Sequence, residues 1–111
     1  MDLTGKSDPY IVVILKKAGA KMKTRVLNET LNPVWNQTFD FLVEDALHEL
    51  LIFEVYDHDT IRKNYIGRCI MTLTRVLLEG EFYDTFPIDG TKEGKLALHL
   101  KWAPQPIVRD S

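Results

Sequence analysis

Short apolar runs separated by turn residues organise this chain, a pattern of strands rather than of long helices. Tyr10 to Leu15 is a continuous β-branched and apolar run, which predicts a strand buried on both faces. Met22, Thr24 and Val26 alternate with Lys21, Lys23 and Arg25, which predicts a strand with one basic face. Asn32-Pro33 marks a turn. After it, Trp35, Phe39 and Phe41 fall on one parity and Asn36, Thr38 and Asp40 on the other, as in a further half-buried strand. Leu51, Phe53 and Val55 alternate with Ile52, Glu54 and Tyr56 in the same way. Tyr65 to Leu73 is another apolar segment, opened by Gly67, and Phe82 to Ile88 predicts a strand ending in the turn Asp89-Gly90. The last strand alternates most cleanly, with Leu96, Leu98, Leu100 and Trp102 on one face and Lys95, Ala97, His99 and Lys101 on the other. Val43 to Leu50 and Thr72 to Leu78 predict short helical turns. Pro104 and Pro106 cannot continue a central strand, so residues 104–111 are expected to form a tail. The spacing predicts an all-β antiparallel sandwich occupying residues 1–103 as one domain.

Composition narrows the function classes. At 111 residues, 45% hydrophobic and 27% charged, the chain suits one globular domain with a real core. No apolar run approaches the roughly 20 residues of a membrane-spanning helix. The first residues lack the apolar stretch of a secretory signal. A net charge of −2 excludes a strongly basic nucleic-acid binder. The single Cys69 has no internal disulfide partner and fits a reducing compartment such as the cytosol. His48, His58 and His99 have no metal-ligand spacing with it, and Cys69 reads as a small buried hydrophobe. There is no nucleophile elbow, no Gly-rich phosphate loop and no acid/base pair, which argues for a binding module over an enzyme.

Chemistry concentrates in two acidic loops. In the first, Asp2 and Asp8 lie six apart across Gly5, immediately before the strand that starts near Tyr10. In the second, Tyr56-Asp57-His58-Asp59 ends a strand, and side chains repeating every two residues put Asp57 and Asp59 on one side. Four carboxylates converging at one end of a sandwich repel each other unless a cation joins them. Ca²⁺ suits such a place, because it takes 6–8 oxygen ligands in flexible geometry, whereas Mg²⁺ demands a tighter octahedron.

Ser7-Asp8-Pro9-Tyr10, Leu31-Asn32-Pro33-Val34-Trp35-Asn36 and Phe53-Glu54-Val55-Tyr56-Asp57-His58-Asp59, in that order, resemble the C2 domain. The likeness runs from Asp2 to about Trp102 and is nearest to the C-terminal C2 domain of plant synaptotagmins and the extended synaptotagmins. It implies a C2-type β-sandwich of eight strands, of which about seven are legible here, with one expected ahead of Asp2 and beside the last strand. A truncated product, a short isoform, or replacement of that strand by a partner or swapped tail would each account for the difference. The resemblance also implies that Asp2, Asp8, Asp57, Asp59 and Asn64 hold Ca²⁺, with an amide at Asn64 where the family usually has a carboxylate. The set then carries a formal −4, so a second ion is expected to bind less strongly than the first.

By position, Leu3 and Ile61 are the loop-tip residues that would dip into a bilayer, with Arg62 and Lys63 beside them to attract phosphate. Tyr10, Lys21, Lys23 and Tyr56 match the family's phosphoinositide pocket, and Arg25 extends its basic strand. The family's strand order would bring Lys95, His99 and Lys101 beside that strand and widen the patch. The implied function is calcium-dependent binding of anionic phospholipid membranes. The alternative is a calcium-independent module that holds phosphoinositides or acidic proteins on the basic strand. An enzyme is expected only if the chain is the regulatory part of a lipid-modifying one. The implied location is cytosolic and peripheral on membranes. In a plant synaptotagmin-like parent, that means contact sites between endoplasmic reticulum and plasma membrane.

Overall fold

A computed structural model describes residues 8–27, 36–58 and 63–105. The β-branched run after Asp8 forms β1 (Pro9–Leu15) and returns through a turn at residues 16–19 into β2 (Ala20–Lys23). Gly19 closes that turn at φ 74°, a left-handed conformation that costs glycine nothing, and its N–H donates to the Leu15 carbonyl at 2.8 Å. The turn is held from outside by Glu49, a buried carboxylate that accepts the backbone N–H groups of Lys17 (2.6 Å), Ala18 (3.0 Å) and Leu50 (3.0 Å). Burial pushes the Glu49 carboxyl up, but the three N–H donors outweigh it and leave it below its ordinary value.

From Glu49 the chain enters β3 (Leu50–His58), which pairs with β1, and then β4 (Lys63–Thr72), which pairs with β3. All pairings are antiparallel, and the sheet order is β2-β1-β3-β4. A short helix, α1 (Thr74–Glu79), ends at Gly80 (φ 80°) and leads into β5 (Glu81–Pro87). This strand pairs with β6 (Lys95–Lys101) in a second, two-stranded sheet.

Ile11, Val13, Leu15, Leu51, Phe53, Val55 and Cys69 line one face of the larger sheet, and Phe82 and Leu96 of the smaller sheet close the core with Leu73, Val76 and Ile88. The sheets are stitched at one edge, where Arg68 and Asp89 exchange backbone hydrogen bonds of 3.0 and 2.8 Å. That approach requires Gly67, because a Cβ there would lie 2.4 Å from the Asp89 carbonyl oxygen.

Several expectations change. β1 is not buried along the whole of both faces: Tyr10 is buried on the outward face, but Val12 and Ile14, which follow it there, are only half-buried. The alternation around Phe39 and Phe41 does not become a strand. Residues 36–43 join no ladder among the described residues, although Phe39, Phe41 and Val43 pack against the core. Apolar alternation directs side chains inward, but a strand also needs a backbone neighbour. The described residues therefore hold six strands where about seven were expected. The helix expected over residues 72–78 forms as Thr74–Glu79, whereas residues 46–48 make only a turn. Trp35, Asn32 and Pro33 lie outside the described residues.

Candidate functional site

The antiparallel register gathers chemistry at one end of the four-stranded sheet. Pro9 lies opposite Asp57 at the start of β1, and Asp57 lies opposite Asn64 at the start of β4. Asp8 therefore reaches the end of β3, where its backbone N–H donates to Asp57 Oδ1 at 2.9 Å. In return, the N–H of His58 donates to the Asp8 carbonyl at 2.8 Å. These two bonds fix both carboxylate-bearing residues at one corner, with the Asn64 amide on the neighbouring strand. Of the expected cation ligands, Asp8, Asp57 and Asn64 are brought together, while Asp2 and Asp59 lie outside the described residues. So do Leu3, Ile61 and Arg62, and Lys63 is placed by its backbone opposite His58. Among the described residues no group of three or more His, Cys, Asp or Glu could hold a metal. Asp8, Asp57 and Asn64 each carry a side-chain oxygen, the donor type that a hard cation such as Ca²⁺ prefers.

One residue further into the sheet stands an aromatic cluster. Tyr10, 1% exposed, stacks on Tyr56 with ring centroids 5.4 Å apart and planes 13° from parallel. His58 meets the Tyr10 ring edge-on at 6.2 Å, and Tyr65 meets Tyr56 edge-on at 5.6 Å. The Lys23 ammonium sits 4.4 Å from the Tyr10 ring centroid, within cation–π range. Register explains the encounter: Lys23 lies opposite Val12, so it shares the face of Tyr10, and Lys21 lies opposite Ile14 on that same face. Burial raises the Tyr10 hydroxyl above its ordinary value. Burial also raises Tyr56, helped by the Glu54 carboxylate, which accepts the Tyr56 hydroxyl at 3.3 Å. Both tyrosines remain neutral donors at physiological pH.

Residues 1–88 match the sequence profile of the C2 domain. The chain belongs to the C2 domain family. It is 66% identical to Synaptotagmin-5 of Arabidopsis thaliana over 110 residues, 99% of this chain and 20% of that protein. It is 60% identical to Synaptotagmin-4 of the same plant over 111 residues, 100% of this chain and 20% of that protein. The chain thus spans about a fifth of the length of these curated relatives. Among solved structures it is similar to a calcium-bound pair of C2 domains from Extended-Synaptotagmin 2. That match has a TM-score of 0.81 and 31% identity, and covers 90% of this chain and 36% of that one. The antiparallel β-sandwich is therefore that of a C2 domain.

Two expectations about the basic face of this C2 domain need correction. Arg25 lies beyond the end of β2: the Thr24 N–H still donates to the Ile11 carbonyl at 2.8 Å, while the Arg25 N–H donates to Gln37 Oε1 at 3.0 Å. Lys95, His99 and Lys101 do not adjoin the lysine strand, because β6 belongs to the other sheet and pairs with β5. Sequence reasoning also missed Glu54 and Tyr65. Glu54 read as an ordinary polar position of an alternating strand, and Tyr65 as the start of an apolar segment. Only the cross-strand pairing of Tyr10 with Tyr56 and of Tyr56 with Tyr65 reveals one aromatic row across three strands.

Proposed function

We propose that this C2 domain binds anionic phospholipid membranes through the Asp8–Asp57 corner, with Ca²⁺ as the switch. The observation that supports the reading is the 2.9 Å bond from the Asp8 N–H to Asp57 Oδ1, with Asn64 opposite Asp57 in the register of β3 and β4. Asp2 and Asp59 are the proposed remaining ligands. Bound calcium would supply positive charge and open coordination positions for lipid phosphate oxygens. Without it, the carboxylates of Asp8 and Asp57 repel an anionic surface. The neighbouring Lys23 and Lys21 carry charge that attracts phosphate, each worth about 1 kcal/mol near such a surface. Leu3 and Ile61 are proposed to enter the bilayer, and Arg62 and Lys63 to meet its phosphates. Within a longer synaptotagmin-like protein, the same activity would hold two membranes together at contacts between endoplasmic reticulum and plasma membrane.

A second reading has its own support in the Lys23 ammonium over the Tyr10–Tyr56 stack. On that reading the basic face takes a phosphoinositide headgroup or an acidic protein without calcium. Co-sedimentation with vesicles of phosphatidylcholine, with and without phosphatidylserine, in calcium or chelator, separates the two. Pelleting that needs both calcium and phosphatidylserine, and that Asp57→Ala abolishes while Lys21→Glu/Lys23→Glu only weakens it, is the expected outcome. Equal pelleting in calcium and chelator, unaffected by Asp57→Ala, would overturn the switch and leave the basic face.

A further inference from the structure

The outer face of the larger sheet carries apolar surface that neither the core nor the Asp8–Asp57 corner uses. Cross-strand register sorts its residues: Ile14 of β1 lies opposite Ile52 of β3, and Ile52 lies opposite Ile70 of β4. Val12 and Leu50 stand two residues along their strands on the same face. Ile14, Ile52, Val12 and Leu50 are half-buried, and Ile70 is 44% exposed. On one flank, Lys21 lies opposite Ile14 and Lys23 opposite Val12; on the other, Arg68 lies opposite Glu54 of β3. Lys16 continues the ladder of β1 with β3, its N–H donating to the Leu50 carbonyl at 3.0 Å. With Lys17, His48 and Leu50 it lines a shallow cavity of about 350 Å³ at that end of the seam. All of this is built on the four-stranded sheet, so none of it depends on what lies beside β6.

Charge on this face is one-sided, although the whole chain has a net charge of −2. Lys16, Lys21, Lys23 and Arg68 are exposed, and none is ion-paired among the described residues. Glu54 is the carboxylate of these rows among the described residues, and it accepts the Tyr56 hydroxyl at 3.3 Å. Asp45, on the same side of the molecule as the cavity, is taken by Lys17 and His48. A second copy laid face to face would bring like charges together, which opposes self-association. An extended peptide fits no better: β1 and β3 have strand neighbours on both sides, so their backbones offer it no partners. A helix satisfies its own backbone, and at about 10 Å wide it covers two strands spaced about 4.8 Å apart. Acidic residues along its two borders would then meet the lysines of β2 on one side and Arg68 on the other.

We propose that the outer face of the β1–β3 seam is a docking site for an acidic amphipathic helix of about three turns. The seam from Leu50 to Glu54 is about 14 Å long, close to the roughly 16 Å of three helical turns. Apolar side chains at i, i+3, i+4 and i+7 would cover Ile14, Ile52 and Ile70, and carboxylates on the borders would pair with Lys21, Lys23 and Arg68. The proposal rests on the calcium-independent second reading above, of which it names the partner, and adds the isoleucine row to the lysines that reading uses.

NMR titration of the 111-residue chain in chelator tests it, with a blocked helical peptide of about 14 residues that carries Leu at this spacing and Glu on both borders. One counterpart replaces every Leu by Ala, which keeps helix and charge, and another replaces every Glu by Lys. The first peptide should shift the amides of Val12, Ile14, Ile52 and Ile70 and bind about tenfold or more tighter than either counterpart. Ile70→Ser, at an exposed position, should keep the fold and weaken that binding by about threefold or more. Lys21→Glu/Lys23→Glu should weaken it by about tenfold. Pelleting in chelator with vesicles containing phosphatidylinositol bisphosphate follows the second reading alone: the lysine variant should reduce it and Ile70→Ser should not. Equal binding of the Leu and Ala peptides, or indifference to Ile70→Ser, would overturn the helix site and leave the second reading standing. Failure of all three peptides to bind would overturn the helix site too, and absence of vesicle pelleting alongside it would overturn both readings.

Discussion

The two sheets of this C2 domain are built from the same alternation of apolar and polar residues, yet they end in different physical states. In the larger sheet, β1 and β3 each have a strand on both sides, and their inward residues are closed off, with Val55 at 0% and Leu15 at 1% exposure. In the smaller sheet, β5 and β6 have only each other among the described residues, and Phe86, Leu98 and Leu100 remain half-buried. Alternation decides which way a side chain points; what packs against that face decides how completely it is covered, since Phe82 and Leu96 are buried with a single strand neighbour each. The corner at Asp8 and Asp57 exists because three adjacent strands end together in the larger sheet.

The sharpest way to break the comparison is to remove equivalent inward side chains. Phe53→Ala in β3 should cost about 3–5 kcal/mol, as full truncations of buried aromatics do. Leu98→Ala in β6 should cost only about 1–2 kcal/mol, because much of that side chain already faces solvent. Urea unfolding of both variants measures the difference, and equal losses would mean that the smaller sheet is as well covered as the larger.

Next in size is the stitch between the sheets. A Cβ at Gly67 would meet the Asp89 carbonyl oxygen at 2.4 Å and Ile88 Cγ2 at 2.8 Å, so Gly67→Ala must push the two apart. A loss of about 1–3 kcal/mol is expected, typical of overpacking against backbone. The amides of β5 and β6 should lose exchange protection more than those of β1 and β3. Uniform loss across both sheets would show that the sandwich opens as one unit.

The smallest effect concerns the end of the larger sheet away from the Asp8–Asp57 corner. Hydrogen bonds from Lys17 and then His48 hold the Asp45 carboxyl down at about 2, from an ordinary 3.8. A carboxyl depressed in the folded state stabilises the fold above its unfolded value and loses that contribution as pH falls through the folded one. The slight stabilisation should therefore be complete above about pH 4 and disappear toward pH 2. Asp45→Asn should flatten the acid limb of the stability profile in that window, and an unchanged limb would remove Asp45 from the account. Because the pair is exposed, the change should be small and reduced by salt.

What the sequence determined by itself was periodicity and its motifs. A continuous apolar run identified β1, alternation identified β3 and β6, a segment ending in a turn identified β5, and the order of the Ser7-Asp8-Pro9-Tyr10, Asn32-Pro33 and Asp57-His58-Asp59 motifs pointed to the C2 family. The C2 resemblance also set Asp2, Asp8, Asp57, Asp59 and Asn64 as one candidate group, of which Asp8, Asp57 and Asn64 fall at strand ends in the structure. Tertiary structure alone decided which strands become neighbours. It left residues 36–43 without a ladder despite a strand-like pattern, and it separated Lys95, His99 and Lys101 from the lysines of β2. It aligned Tyr10, Tyr56 and Tyr65 in one row, with Lys23 above the first. The physical reason is that side-chain alternation is a property of one strand, whereas hydrogen-bond partnership and register belong to pairs of strands distant in sequence.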